Sequence, residues 1–244
     1  MDTVTRLAAD PAAWAALATL IAMEVVLGVD NLVFIALLSS RVEASRRALA
    51  RSLGLSMALA FRLGLLASAA AVVGLTAPLA TLLGHPFSVR DLLLLAGGLF
   101  LVWKATTEIH ERVDPDEEDD AATTAGRLSV TAALVQIVLI DIVFSVDSII
   151  TAVGMTNEFP IMAIAVVVAV AVMMVASGPL GEFIRRNPTV LMLALSFLLM
   201  IGMSLIADGF GFHIERGYIY AAMFFSSLVE ALNTLARRNA KRPT

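Results

Sequence analysis

The chain has 244 residues, of which 59% are hydrophobic and only 16% charged, and its mean hydropathy is +0.88. A soluble domain carries about 45–50% apolar residues, so this composition describes a protein that crosses a membrane several times. The net charge of −4 leaves no basic face for nucleic acid, and with no cysteine neither disulfides nor thiolate metal sites can form.

The N-terminus does not read as a cleavable signal peptide. Its one early positive charge, Arg6, lies between Asp2 and Asp10, and the apolar run that follows carries two acids, so that run is expected to stay in the membrane. Apolar runs at about 12–38, 48–74, 91–109, 128–153, 161–180, 189–207 and 217–235 predict seven transmembrane helices. Local breakers separate them. Arg41 and Glu43 follow the first, Pro78 and Pro86 close the second, and Pro160 divides the fourth from the fifth. Arg185 to Pro188 ends the fifth, and Asp208-Gly209 ends the sixth.

Twelve basic residues fall after the first, third and fifth runs and in the C-terminal tail, against Arg6, Arg90 and Arg216 on the other side. The positive-inside rule then puts the N-terminus outside and the C-terminus in the cytoplasm. Asp114 to Asp120 is an acidic stretch that reads as a solvated loop, able to gather cations at a cytoplasmic mouth. His85, His110 and His213 are too scattered for a zinc cluster, and His110 and His213 read as solvent-facing. Gly97-Gly98 suggests close helix contact.

Two stretches are versions of one another. Glu24-Val25-Val26-Leu27-Gly28-Val29-Asp30-Asn31 and Asp141-Ile142-Val143-Phe144-Ser145-Val146-Asp147-Ser148 each hold an acid, five uncharged residues, an aspartate and a small polar residue. Thr19 and Gln136 match upstream, and Lys104 and Glu108 correspond to Ser204 and Asp208. Helices one to three and four to six therefore read as two copies. Three being odd, the second copy enters from the opposite side, the inverted repeat typical of secondary transporters. The expected fold is an all-α polytopic membrane protein with seven transmembrane helices. Residues 1–109 form the first repeat, 110–127 the acidic cytoplasmic loop, 128–211 the second repeat, and 212–244 a seventh helix with a basic tail.

Acids inside hydrocarbon cost roughly 2.5–3.5 kcal/mol each on insertion, so something at the centre should need them. On an ideal helix Glu24, Gly28 and Asn31 share one face, as do Asp141, Ser145 and Ser148. Asp30 and Asp147 lie about 100° away. A kink or unwound turn at Gly28 and at Ser145 is expected, so that all four acids face one cavity. Glu24, Asp30, Asn31, Asp141, Asp147 and Ser148 supply hard oxygen ligands suited to Mn²⁺, Ca²⁺ or Mg²⁺. No catalytic residue and no resident cofactor is expected. Alternatively the acids pair with Arg62 and Lys104 as structural ion pairs, although two cations cannot balance them all once Glu230 is counted. Glu230 either joins the cavity or reaches the headgroups near Arg237 and Arg238.

The paired motifs, together with Lys104 to Glu111, Ala207 to Ile214 and Gly217 to Met223, resemble the TerC integral membrane family over residues 14 to 235 or so. The resemblance implies a seven-helix protein of the wider lysine-exporter superfamily, in the bacterial inner membrane, linked to manganese efflux and tellurite resistance. Some relatives feed metal to enzymes being secreted, which makes a secretion translocon a possible partner beside membrane lipid. The family's acidic residues map to Glu24, Asp30, Asp141 and Asp147. Ser204 stands where relatives carry a second lysine matching Lys104. Mn²⁺ is the favoured cargo, with Ca²⁺ the alternative. An intramembrane aspartyl protease built on Asp30 and Asp147 is a rival, against which residues 27–30 read Leu-Gly-Val-Asp rather than Gly-x-Gly-Asp.

Overall fold

The computed structural model describes residues 10–82, 85–113, 128–156 and 158–240. The first apolar run forms two helices in line, α1 (Pro11–Leu27) and α2 (Val29–Ser40). Asp10 caps α1, its side chain accepting from the Ala12 amide at 2.9 Å with Pro11 opening the first turn. A short 3₁₀ turn at Ala44–Arg46 leads into α3 (Arg47–Ala67), followed by α4 (Ala69–Gly74). Ser68 divides those two helices, and its hydroxyl bonds back to the Gly64 and Leu65 carbonyls at 3.1 and 3.0 Å.

Next comes an antiparallel hairpin, β1 (Pro78–Leu82) and β2 (His85–Ser88), which the all-α expectation did not contain. The prolines that end the second helix also keep this stretch extended. Then follow α5 (Val89–Val113), α6 (Val130–Met155), α7 (Phe159–Arg186), α8 (Pro188–Gly209) and α9 (Arg216–Ala240). The acidic stretch 114–120 lies outside the described residues. Helix α7 continues past the expected end at 180 and carries Pro179 in its interior.

Among the described residues six helical spans are long and apolar enough to cross a membrane. They are Pro11–Ser40, Ala44–Ala67, Val89–Val113, Val130–Met155, Phe159–Arg186 and Pro188–Gly209. The seventh helix, α9, forms where expected but is not one of the six. Glu230, Asn233, Arg237, Arg238 and Asn239 dilute its apolar content.

The three principal pairings of the six spans are ones that exchanging the two sets of three leaves unchanged. The first span lies chiefly on the fifth and the second on the fourth, while α5 and α8 run together along their length. Helices α5 and α8 are antiparallel, with Gly98 against Gly202 and Gly209 against Asp91 and Leu95. A Cβ at Gly98 would stand 2.6 Å from the Gly202 carbonyl oxygen, and one at Gly202 would stand 2.9 Å from that of Gly98. The two glycines thus let the backbones touch, the close contact expected of Gly97-Gly98. Leu37, Leu55, Leu101, Ile137, Ile184 and Leu195 fill the core. Outward faces carry exposed Leu139, Val175, Trp103 and Phe224, side chains suited to lipid.

Candidate functional site

The two motif stretches lie at the centre of the fold, but their backbones differ. At Gly28 the first span is interrupted for one residue, with φ −83° and ψ −7°. The bonds from the Gly28 amide to the Glu24 carbonyl (2.8 Å) and from the Leu32 amide to the Gly28 carbonyl (2.9 Å) are kept. A Cβ at Gly28 would meet the Met173 sulfur of α7 at 2.8 Å, so glycine also admits that side chain. The second stretch shows no break, and α6 runs unbroken through Ser145. The irregularity expected there is absent, because Ser145 keeps its place in the helix and turns its hydroxyl to Asp141, at 3.1 Å.

With both stretches nearly straight, the four acids separate by helical phase and do not face one cavity. Glu24 and Asp141 come together around Arg62 of α3. The Arg62 guanidinium donates through Nη1 to Glu24 Oε2 at 2.8 Å and through Nε to Ser145 Oγ at 3.0 Å. Its Nη2 stands 3.3 Å from Asp141 Oδ1. Asn31 donates to the same Asp141 oxygen at 3.0 Å. Ser148 lies beside Glu24 and donates to the Ser145 carbonyl at 3.3 Å. Glu24, Asp141 and Arg62 are 4%, 4% and 2% exposed, so the charges compensate one another out of contact with solvent. Four of the six expected ligands, Glu24, Asn31, Asp141 and Ser148, therefore share one buried cluster whose centre is a guanidinium.

Asp30 and Asp147 turn the other way, toward Arg216 at the start of α9, which has both as electrostatic neighbours. Asp147 is ion-paired with Arg216 and with Arg90 of α5. Asp30 is 5% exposed, and its Oδ1 has no hydrogen-bond partner among the described residues. It lines a cavity of about 10 Å³ with Ser204, Arg216 and Tyr220, room for about one water. Asp147 lines a larger vestibule of about 580 Å³ with Thr19, Arg90, His213, Glu215, Arg216 and Tyr220, at the end of the molecule that carries the hairpin. Among the described residues no three His, Asp or Glu side chains are grouped closely enough to hold a metal ion. The expected shared chamber is thus replaced by two arginine-centred clusters.

Arg90 and Arg216 sit at helix starts, where the sequence alone presents them as loop charges. Tyr220, one turn beyond Arg216 and on its face, was the available signal. At the opposite end of the molecule, Arg41 pairs with Glu108 and Glu111, and Lys104 holds Glu108 at 3.0 Å. Arg62 and Lys104 both serve as partners of buried acids. Glu230 accepts from Thr189 at the start of α8. His110 and His213 are exposed, and His213 Nδ1 lies 3.3 Å from Asp208.

Comparison with known proteins bears on this geometry. The model of the integral membrane protein TerC family matches residues 9–244. The chain belongs to the TerC family. Its relatives include the UPF0053 inner membrane protein YoaE of Escherichia coli K12, 54% identical over 230 residues. That match covers 94% of this chain and 44% of YoaE, so the TerC region spans less than half of that relative. YgdQ of the same organism is 51% identical over 234 residues, covering 96% of this chain and 97% of YgdQ. A UPF0053 protein of Buchnera aphidicola is 49% identical over 232 residues, covering 94% of this chain and 44% of the relative. No solved structure matches.

Proposed function

We propose that this TerC protein is a secondary transporter that exports a divalent metal cation, Mn²⁺ foremost, by alternating access of two inverted halves. The observation that carries the reading is the meeting of Glu24 and Asp141, matched positions of the two motifs, at a single buried point. Each lies near the middle of its span, Pro11–Ser40 and Val130–Met155. A bound cation near the bilayer midplane between two repeats is what such folds are built to hold. The three principal pairings of spans one to six, first with fifth, second with fourth and third with sixth, support the same reading, with α9 as a seventh crossing at the side of the vestibule. Glu24, Asn31, Asp141 and Ser148 supply oxygen ligands at that buried point, while Asp30 and Asp147, in the second cluster, meet the ion at another stage of the cycle. For Asp30, the unpartnered oxygen in a chamber for one small species is the supporting feature.

The protein lies in the inner membrane, as the names of YoaE and YgdQ state for those relatives, and the distribution of basic residues supports a cytoplasmic C-terminus. Family likeness supports the outward direction of flux. Delivery of the ion to a secretion translocon is a second reading on the same site, separated by co-purification with a translocon component. The protease reading loses support, since two arginines engage Asp147 and a shared proton between it and Asp30 is disfavoured. The deciding experiment is uptake of Mn²⁺, Ca²⁺ and Mg²⁺ into inverted vesicles, for wild type and Asp30→Asn. Saturable Mn²⁺ uptake that the variant lacks is expected. No uptake of any of the three ions by the wild type refutes transport.

A further inference from the structure

The central cluster raises a question that transport leaves open, namely why a buried guanidinium sits between the acids. We infer that Arg62 is a built-in competitor for the transported ion, and that its single charge sets the preference for divalent over monovalent cations. The inference rests on the transport reading above and assigns a role to a residue that reading does not use.

Glu24 and Asp141 contribute two negative charges and Arg62 one positive charge, so the cluster carries a net charge of −1. Three guanidinium nitrogens are engaged at 2.8, 3.0 and 3.3 Å, by Glu24, Ser145 and Asp141. A planar fork fixed at three points is held more firmly than a flexible ammonium would be. A sodium or potassium ion replacing it leaves the net charge at −1 and forfeits those directed contacts, so nothing favours the exchange. A divalent ion that takes the place of the guanidinium between the two carboxylates brings the net charge of ion and acids to zero, and in a medium of low effective dielectric that difference dominates.

A second observation points to an oxygen-liganded ion here. Asn31 is 2% exposed and turns its amide nitrogen to Asp141, while its Oδ1 is buried without a hydrogen-bond partner among the described residues. It is a hard acceptor next to the very carboxylate that Arg62 engages. The competitor also serves release. When the ion departs, the guanidinium returns to the acids, so two buried carboxylates are never left uncompensated and the ion is not trapped.

The test is ⁵⁴Mn²⁺ binding to the purified full chain in lipid nanodiscs, with and without NaCl, for wild type, Arg62→Gln and Arg62→Lys. Competition predicts that Arg62→Gln binds Mn²⁺ about tenfold tighter or more and becomes sensitive to Na⁺, while vesicle transport slows. Arg62→Lys, with a point charge that cannot bridge all three partners, falls between. If Arg62→Gln does not fold, Arg62→Lys decides: tighter Mn²⁺ binding supports the role, and unchanged binding overturns it. If the wild type binds Mn²⁺ and a folded Arg62→Gln binds it equally or more weakly, the competitor role is wrong while transport stands. If none of the three proteins binds Mn²⁺, both fall. Binding by Arg62→Gln alone supports the competition in its strongest form.

Discussion

Replacing Gly98 with alanine tests the close backbone contact between α5 and α8. The added Cβ stands 2.6 Å from the Gly202 carbonyl oxygen, 2.8 Å from Ile206 Cγ1 and 3.0 Å from the Ile206 amide nitrogen. Ordinary contact begins at 3.4 Å, so α5 and α8 must separate locally by about 0.8 Å (3.4 − 2.6). Two of the three obstacles are backbone atoms, which no rotamer change can move. The cost is that of overpacking, about 1–3 kcal/mol, and it propagates because Gly202 and Gly209 sit in the same tight seam between α5 and α8. Gly64→Ala is the matched control, since nothing lies within 4 Å of its Cβ and helix propensity favours the change. Reversible unfolding of the two variants in mixed micelles should place Gly98→Ala below wild type by that amount, and Gly64→Ala at or above it. Equal stability of the two variants would refute the reasoning.

Other expectations follow from the same contacts. Asp30→Asn should keep or raise stability, because it removes a buried carboxylate with an unpartnered oxygen, while Mn²⁺ uptake falls about tenfold or more. A thermal scan beside the flux measurement separates the two effects. Glu24→Gln should instead destabilise by about 3 kcal/mol, the scale for breaking a buried pair, since it removes the negative charge that Arg62 meets at 2.8 Å. A Glu24→Gln protein as stable as Asp30→Asn counts against the pairing. Arg216→Gln and Asp147→Asn should be strongly non-additive, with a coupling of about 1 kcal/mol or more in a double-mutant cycle, because the two side chains form one ion pair. A coupling near zero would show that Arg90 alone holds Asp147.

Much of this protein was legible from one dimension. The apolar runs fixed the long helices, because a span in hydrocarbon must satisfy its backbone internally and so must be helical and about 20 residues long. The duplicated motif located the centre, since a buried acid is rare enough to stand out from leucine-rich surroundings. Helical phase even set Glu24, Gly28 and Asn31 on one face and Asp30 on another. The hairpin at Pro78–Ser88 was less visible, for its prolines signal only that a helix stops.

The choice of partner for each acid was a tertiary matter. A sequence lists Arg62, Arg90 and Arg216 without saying which ends of which helices meet. Whether Ser145 would break α6 or bond to Asp141 depended on packing against the first span and α3, and the unbroken helix left the acids in two sets. Long flexible arginine side chains reach several ångströms beyond their own helix. Their destinations are therefore set by the arrangement of all the spans at once, and no local pattern of residues records it.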